Sequence, residues 1–378
     1  MKVNQISLKG QYREIEKEVL DGIKKVCASQ HFILGENVRG LEEEIAKYLG
    51  AGYAVGVASG SDALILSLMA LGVGKDDAVV TTPYTFFSTA GSIAILGARP
   101  VFVDIDRMTY NMDPEKLEST LKKDRKGKIK AVIPVHLYGQ SADMTRINKM
   151  AKGYGVKTIE DAAQSIGATH RGKKGGSIGD TGCLSFYPTK NLGGFGDGGM
   201  VTTNSKTLAE KVRVLRVHGS KVRYYHELVG VNSRLDEIQA AVLRVKLKYL
   251  GGWTEKRVKN AGYYSLLFER AGLLDYATPP HIEDSNSSVF NQYVIRAKKR
   301  DKLREYLKEK GIGTELYYPL PLHLQKCFKY LGYKRGDFPV SEKAAKQTLA
   351  LPIYPELKKS EIDYVVSTIK DFYDFYGG

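Results

Sequence analysis

Cysteine is scarce in this 378-residue chain, and the scarcity excludes two classes of protein. Cys27, Cys183 and Cys327 lie far apart, with none of the close spacing of a metal site, and make no disulfide framework. Long apolar runs are missing too: no stretch approaches the roughly 18–20 residues that span a bilayer. The opening Met1-Lys-Val-Asn-Gln-Ile-Ser-Leu8 has neither the apolar core nor the cleavage site of a signal peptide. A reduced, cytoplasmic protein without a membrane partner is the expectation. Repeats and low-complexity linkers are absent as well. What is left is an ordinary globular composition, 43% hydrophobic and 26% charged. Its length favours one large domain with a smaller one.

The imbalance is in charge. Lysine and arginine outnumber aspartate and glutamate by 57 to 42, a net +15. A positive field raises the local concentration of an anionic ligand, and a diphosphate-bearing substrate suits it. A general surface bias gives the same number. Nucleic acid is not an expected partner, because the basic residues are spread out and form no dense arm or recognised motif.

Periodicity sets the architecture. Val38, Leu41, Ile45 and Tyr48 repeat at helical spacing and Gly50 ends them. Residues 53–58 read as a buried strand. Ser59-Gly-Ser-Asp62 reads as a turn and cap that opens an apolar helix over 63–70. Strands over 78–81, 100–104, 131–135 and 156–160 follow, with a helix after Phe86 and another carrying Ile147 and Met150. Fully apolar strands alternating with helices predict an α/β fold with a largely parallel sheet covered on both faces. Ligands of such sheets gather beyond the carboxyl ends of the strands. Ser59, Tyr84, His136 and Asp161 all fall at such ends, which predicts one site.

Near residue 250 the pattern changes. An amphipathic helix over 233–250 should break at Gly251-Gly252, followed by a helix over 254–271. A strand over 291–297, a helix over 301–310, an extended stretch over 314–318 and an amphipathic terminal helix over 361–373 complete an α+β unit. The expected division is a large domain over 1–250 and a small one over 251–378, with about the first 30 residues packing on the small domain.

Two segments carry the chemistry. Lys190 lies in Ser185-Phe-Tyr-Pro-Thr-Lys-Asn-Leu-Gly-Gly-Phe-Gly-Asp-Gly-Gly199, and Asp161 ends a strand in Ile159-Glu-Asp-Ala-Ala-Gln-Ser165. A lysine beside a glycine-rich loop, with a carboxylate at a strand end, suits pyridoxal 5'-phosphate (PLP). The lysine forms a Schiff base, and the carboxylate keeps the pyridine nitrogen protonated. Gln164, three residues from Asp161, faces the same way and reaches the ring hydroxyl or lies nearby. An ion pair with a distant cation is the other reading of Asp161. Ser59-Gly-Ser-Asp62 offers N–H groups and a hydroxyl to an anion, or is a routine cap; Ser185 adds a second hydroxyl. Phe86 offers a flat face to a pyridine ring, or packs in the core. The glycine loop lacks the spacing of a nucleotide cradle and reads as a close backbone approach beside the cofactor. Tyr187 is a candidate for substrate contact, and Tyr317, Tyr318 and His323, in Leu316-Tyr-Tyr-Pro-Leu-Pro-Leu-His323, either meet a substrate or line an inter-domain seam.

Gly60-Ser-Asp-Ala63, Pro83-Tyr-Thr-Phe86, Pro100-Val-Phe-Val-Asp-Ile-Asp106 and Pro134-Val-His-Leu-Tyr-Gly139 occur in order. They are followed by the Asp161 and Lys190 segments and by Asn232-Ser-Arg-Leu-Asp-Glu-Ile-Gln-Ala-Ala241. Together these motifs resemble the DegT/DnrJ/StrS family of nucleotide-sugar aminotransferases over nearly the whole chain. The resemblance implies the PLP-dependent transferase fold type I, like that of aspartate aminotransferase, and a homodimer with shared active sites. It makes Lys190 the Schiff-base lysine, Asp161 the pyridinium partner and Gln164 a contact to the ring oxygen. Gly60, Ser61 and Ser185 then bind the cofactor phosphate, Asn232 reaches it from the partner subunit, and Phe86 stacks on the ring. Relatives with histidine in place of the lysine are dehydratases, so Lys190 implies amino transfer. The implied donor is L-glutamate, in a ping-pong reaction through pyridoxamine 5'-phosphate, and the acceptor is a dTDP- or UDP-linked keto sugar. The segment from Tyr187 to Gly199 is more similar to the branch that aminates C3. Amination at C4, a ketocyclitol acceptor, and a PLP-binding regulatory member without turnover stay open.

Overall fold

The computed structural model describes residues 1–376. Its centre is a sheet of seven strands: β1 (Tyr53–Val57), β2 (Ala78–Thr81), β3 (Arg99–Phe102), β4 (Ile129–Val132), β5 (Lys157–Asp161), β6 (Thr181–Ser185) and β7 (Gly199–Thr203). They lie in the order β1-β7-β6-β5-β4-β2-β3. Neighbours are parallel except at β7, which runs antiparallel to both β1 and β6. The mostly parallel sheet expected from the apolar strands is present. Its strands alternate between two buried faces, which is why they read as continuous hydrophobic runs.

Eleven α-helices, counted among the described residues, surround it. They are α1 (Lys9–Ser29), α2 (Glu36–Leu49), α3 (Gly60–Ala70), α4 (Phe87–Ile95), α5 (Pro114–Lys123), α6 (Met144–Gly153), α7 (Lys206–Leu215), α8 (Glu237–Arg270), α9 (Arg300–Glu309), α10 (Pro339–Gln347) and α11 (Lys359–Tyr376). On one face Val55, Val57, Cys183 and Val201 pack with Ala63 and Leu66 of α3 and Val212 of α7. On the other, Ala54, Leu184 and Met200 pack with Leu41 and Ile45 of α2 and Leu243 of α8. One-residue alternation along β1, β6 and β7 therefore divides two cores.

A second core surrounds a three-stranded antiparallel sheet, β8 (Ala277–Thr278), β9 (Tyr293–Ala297) and β10 (Thr348–Leu351). Leu303 and Leu307 of α9, Ile362, Val365, Ile369 and Phe372 of α11, and Tyr264 and Phe268 of α8 fill it. The terminal helix packs down on the face its periodicity predicted. Val3 joins this core, tied by backbone hydrogen bonds to Gly311 and Gly313.

One local expectation fails. Gly251-Gly252 does not break a helix, because α8 runs unbroken through both residues. Both glycines are exposed, and a Cβ on either would meet nothing within 4 Å. Leu250 and Trp253 beside them are buried, so packing holds the turn that propensity alone would open. Helix α1, which the sequence pattern did not predict, lays Ile15 and Val19 on Val242, Val245 and Trp253 of α8. No helix among the described residues is long and apolar enough to cross a membrane.

Candidate active site

Parallel strands bring β1, β5 and β6 to one edge of the sheet with their carboxyl ends together. β1 leads to Ser59, which caps α3 by accepting the Asp62 N–H at 3.1 Å. Gly60 packs directly on Ser185 at the end of β6: a Cβ there would sit 2.7 Å from the Ser185 Cβ, so glycine alone fits. The Ser61 hydroxyl is 2.6 Å from that of Ser88 at the start of α4. Three hydroxyls and the free N–H groups of a helix start thus form a cradle suited to a phosphate.

Asp161 closes β5 and is buried. Its carboxylate accepts one hydroxyl, Thr89 Oγ1 at 2.8 Å, and one backbone N–H, that of Ala163 at 3.3 Å. Burial pushes its pKa up; Thr89, Ala163 and the Lys190 ammonium pull the other way without offsetting it. A buried carboxylate this short of donors has capacity for a cationic hydrogen-bond donor. Lys190 is half-buried, and burial pushes its ammonium down to about 8, against the pull of Asp161. It is therefore an amine that gains and loses a proton near neutral pH. Gln164 accepts the Tyr138 N–H at 2.7 Å and donates to the Tyr318 hydroxyl at 3.0 Å. The residues present fit PLP: a cradle for its phosphate, an amine for its aldehyde and an undersatisfied carboxylate for its pyridinium.

The glycine loop fixes the lysine segment. Gly194 donates to the Phe186 carbonyl at 2.8 Å, and Phe186 to that of Gly198 at 2.8 Å. A Cβ on Gly193 would lie 2.4 Å from the Pro188 carbonyl oxygen, so the close approach requires glycine. Helix α8 holds the loop from behind. Gln239 accepts the Phe195 N–H at 2.7 Å, and the buried Lys246 donates to the Gly193 carbonyl at 2.5 Å. Asn191, next to Lys190, donates to Val289 at 3.0 Å and accepts from Asn291 at 2.8 Å, tying the loop to the segment before β9.

The aromatic candidates divide. Phe86 is 57% exposed at the start of α4, its ring 6.1 Å from that of Tyr318. An exposed phenylalanine beside Gln164's partner is a free stacking face, not core. Tyr318 is brought to the site by its bond to Gln164. Tyr317 packs behind it, its carbonyl accepting the Tyr84 hydroxyl at 2.7 Å and that of Tyr138. Tyr187 is 53% exposed, three residues from Lys190. His323 is buried in the seam, 3.2 Å from Glu342 and 4.8 Å from the ring of Phe338, which in turn packs on Phe102. Asn232 is exposed, while its neighbour Ser233 donates to Asp62 at 2.7 Å and so pins the loop to α3. Sequence reasoning missed Thr89, Ser88 and Tyr138, whose partners lie far along the chain. Position alone signalled them: Thr89 and Ser88 follow the Pro-Tyr-Thr-Phe turn, and Tyr138 follows His136. Of the strand-end residues, His136 belongs to the opposite face, with Nε2 2.8 Å from Glu160.

Comparison with known proteins agrees. Residues 13–370 match the DegT/DnrJ/EryC1/StrS aminotransferase family. The chain is 52% identical to a pleiotropic regulatory protein of Geobacillus stearothermophilus, covering 99% of each. It is 41% identical to the UDP-2-acetamido-2-deoxy-3-oxo-D-glucuronate aminotransferase of Pseudomonas aeruginosa, over 96% of this chain and 98% of that one. The crystal structure of Streptomyces venezuelae DesV in complex with a ketimine intermediate superposes with a TM-score of 0.94 at 37% identity, covering 98% of each chain. With its family model, its relatives and its strand-end site in agreement, this chain belongs to the DegT/DnrJ/EryC1/StrS aminotransferase family.

Proposed function

We propose that the protein is a PLP-dependent aminotransferase that moves an amino group from L-glutamate to the C3 keto group of a UDP- or dTDP-linked sugar. The observation that carries this reading is the convergence at one strand-end edge of Lys190, a buried Asp161 short of donors, and the hydroxyl cradle of Ser61 and Ser185. Relatives 41% and 40% identical are named for 3-oxo and 3-amino nucleotide sugars, which supports C3.

When bound, PLP supplies an electron sink for the C–H bond that breaks in the donor. The chain's own residues do the rest. Gly60, Ser61 and Ser185 hold the phosphate. Asp161 holds a proton on the pyridine nitrogen, and Gln164 orients the ring oxygen. Phe86 covers one ring face and keeps water from it. Lys190, as a neutral amine, would take the proton from the donor carbon and hand it on within the first half of the cycle, and in the second half would deliver a proton to the acceptor carbon as it is aminated. Tyr187, Tyr317 and Tyr318 border the sugar side, while His323 is a seam residue. Asn232, exposed and beside α3, reaches the phosphate of the partner's site in a homodimer. The enzyme works in the cytoplasm, with a large domain over 1–250 and a small one over 251–378, and α8 crossing between them.

Absorbance tests it. The PLP-loaded protein should show a visible imine band that L-glutamate bleaches, and the bleached form should convert a UDP-linked 3-keto sugar faster than a 4-keto one. A protein that holds no PLP would sink the proposal. The regulatory name of the 52% identical relative favours one rival, a PLP-binding protein without turnover. A stable imine band that no amino donor bleaches would favour that rival.

A further inference from the structure

Away from the strand-end site, a cavity of about 570 Å³ opens between the loop after β3, the small sheet and α10. Four cations line it: Arg107, Arg296, Lys298 and Lys343, against one carboxylate, Asp275. The buried ring of Tyr110 forms part of its wall. Two other arginines of this chain find carboxylates, Arg216 with Glu42 at 2.6 Å and Arg244 with Glu44 at 2.7 Å. Among the described residues none of the four cavity cations is in such an ion pair. Arg296 is half-buried and donates at 3.5 Å to the backbone carbonyl of Arg107, itself a cation. The N-terminus of α10 does not supply the field, because Asp104 already accepts the Val340 and Ser341 N–H groups at 2.9 Å each.

Four like charges around one concavity repel, and only one carboxylate offsets them. We propose that this cavity binds a small molecule carrying a diphosphate. Two adjoining phosphates carry about three negative charges near neutral pH, which matches the lining of four cations and one anion. Guanidinium groups present paired N–H donors to phosphate oxygens, and the volume lies within the roughly 300–1,000 Å³ of small-molecule sites. The proposal is independent of the activity assigned above.

Calorimetry on the PLP-loaded protein tests it, with the cofactor's own phosphate cradle filled. Inorganic pyrophosphate should bind at one site per chain. Lys343→Glu should weaken it by about tenfold or more, the loss of one charge-assisted contact. Lys126→Glu, at an exposed cation on the loop before β4, alters net charge equally and should leave the affinity within about twofold. Both positions are exposed, so both variants fold. Orthophosphate should bind about tenfold more weakly than pyrophosphate, since it meets fewer of the cations. UDP then identifies the source. A Lys343-dependent affinity above that of pyrophosphate assigns a nucleotide-borne diphosphate, and one below it a free diphosphate. No heat from pyrophosphate, equal losses in the two lysine variants, or equal affinity for orthophosphate would each overturn the proposal.

Discussion

Glu160 and Asp161 are adjacent carboxylates on β5, both buried, and they face opposite ways. Glu160 is saturated. It lies 2.8 Å from the His136 ring and accepts the N–H groups of Gly176, Ile178 and Gly179 at 2.7–2.9 Å. Burial pushes its pKa up, but His136 and those N–H groups outweigh it and the net shift is down. Asp161 has one hydroxyl and one N–H, and its net shift is up. The same strand thus carries one carboxylate that completes the fold and another that the fold leaves incomplete. An acid whose hydrogen-bonding capacity is already used is structural, whereas one with capacity in reserve awaits a ligand.

Substitution should separate the two. Asp161→Asn should lower amino transfer by about a thousandfold, the scale of losing one preorganised electrostatic contact. It should leave the cofactor-free protein at least as stable as the parent. Because the pKa of Asp161 is raised, its charge weakens the fold above the ordinary carboxyl value of 3.8, so the variant's advantage should grow as pH rises past that point. Thermal melts of the cofactor-free pair across pH would expose any contrary trend.

Glu160→Gln should behave oppositely, losing about 2–3 kcal/mol of stability as charge-assisted hydrogen bonds are lost. The depressed pKa of Glu160 means that its stabilisation is present above 4.5 and is lost as pH falls further. Parent and variant should therefore converge in acid. A gap that persists to low pH would mean that packing, not charge, sets the cost.

Lys246→Met sharpens the comparison from the cation side. Burial pushes Lys246 down to about 8 from 10.5, so its charged form is disfavoured in the fold and the parent gains stability as pH rises between those values. In the cofactor-free variant that rise should shrink to the part that Lys190, held down to the same value, still contributes, and the Lys190 loop that Lys246 supports should exchange amide hydrogens faster. Thr89→Val should have the smallest effect, about tenfold in turnover, since it removes one neutral hydrogen bond from Asp161. Steady-state kinetics that show no change would place the control of Asp161 elsewhere.

The legible parts of the sequence were those in which local pattern and function coincide. Apolar runs marked the strands, and parallel order alone brings Ser59, Asp161 and Ser185 to one edge. Lys190 and its glycine loop were readable because a tight turn requires particular residues. The rest depends on contacts that no local window contains. Thr89 reaches Asp161 across 72 residues of sequence, and Lys246 reaches Gly193 across 53. Gly251-Gly252 misled because helix continuity there is set by the buried flanks, not by the glycines. Helix α1 escaped notice because its apolar stripe is sparse among charged residues. His323, which the sequence left between substrate and seam, is held by Glu342 and Phe338 at the start of α10, contacts that no motif announces.

The central claim is that Asp161, not Glu160, is the carboxylate reserved for the cofactor. Nitrogen NMR of PLP labelled at the pyridine nitrogen, bound to the parent protein and to Asp161→Asn, tests it directly. The account predicts a protonated nitrogen in the parent and an unprotonated one in the variant. A nitrogen protonated equally in both would contradict it.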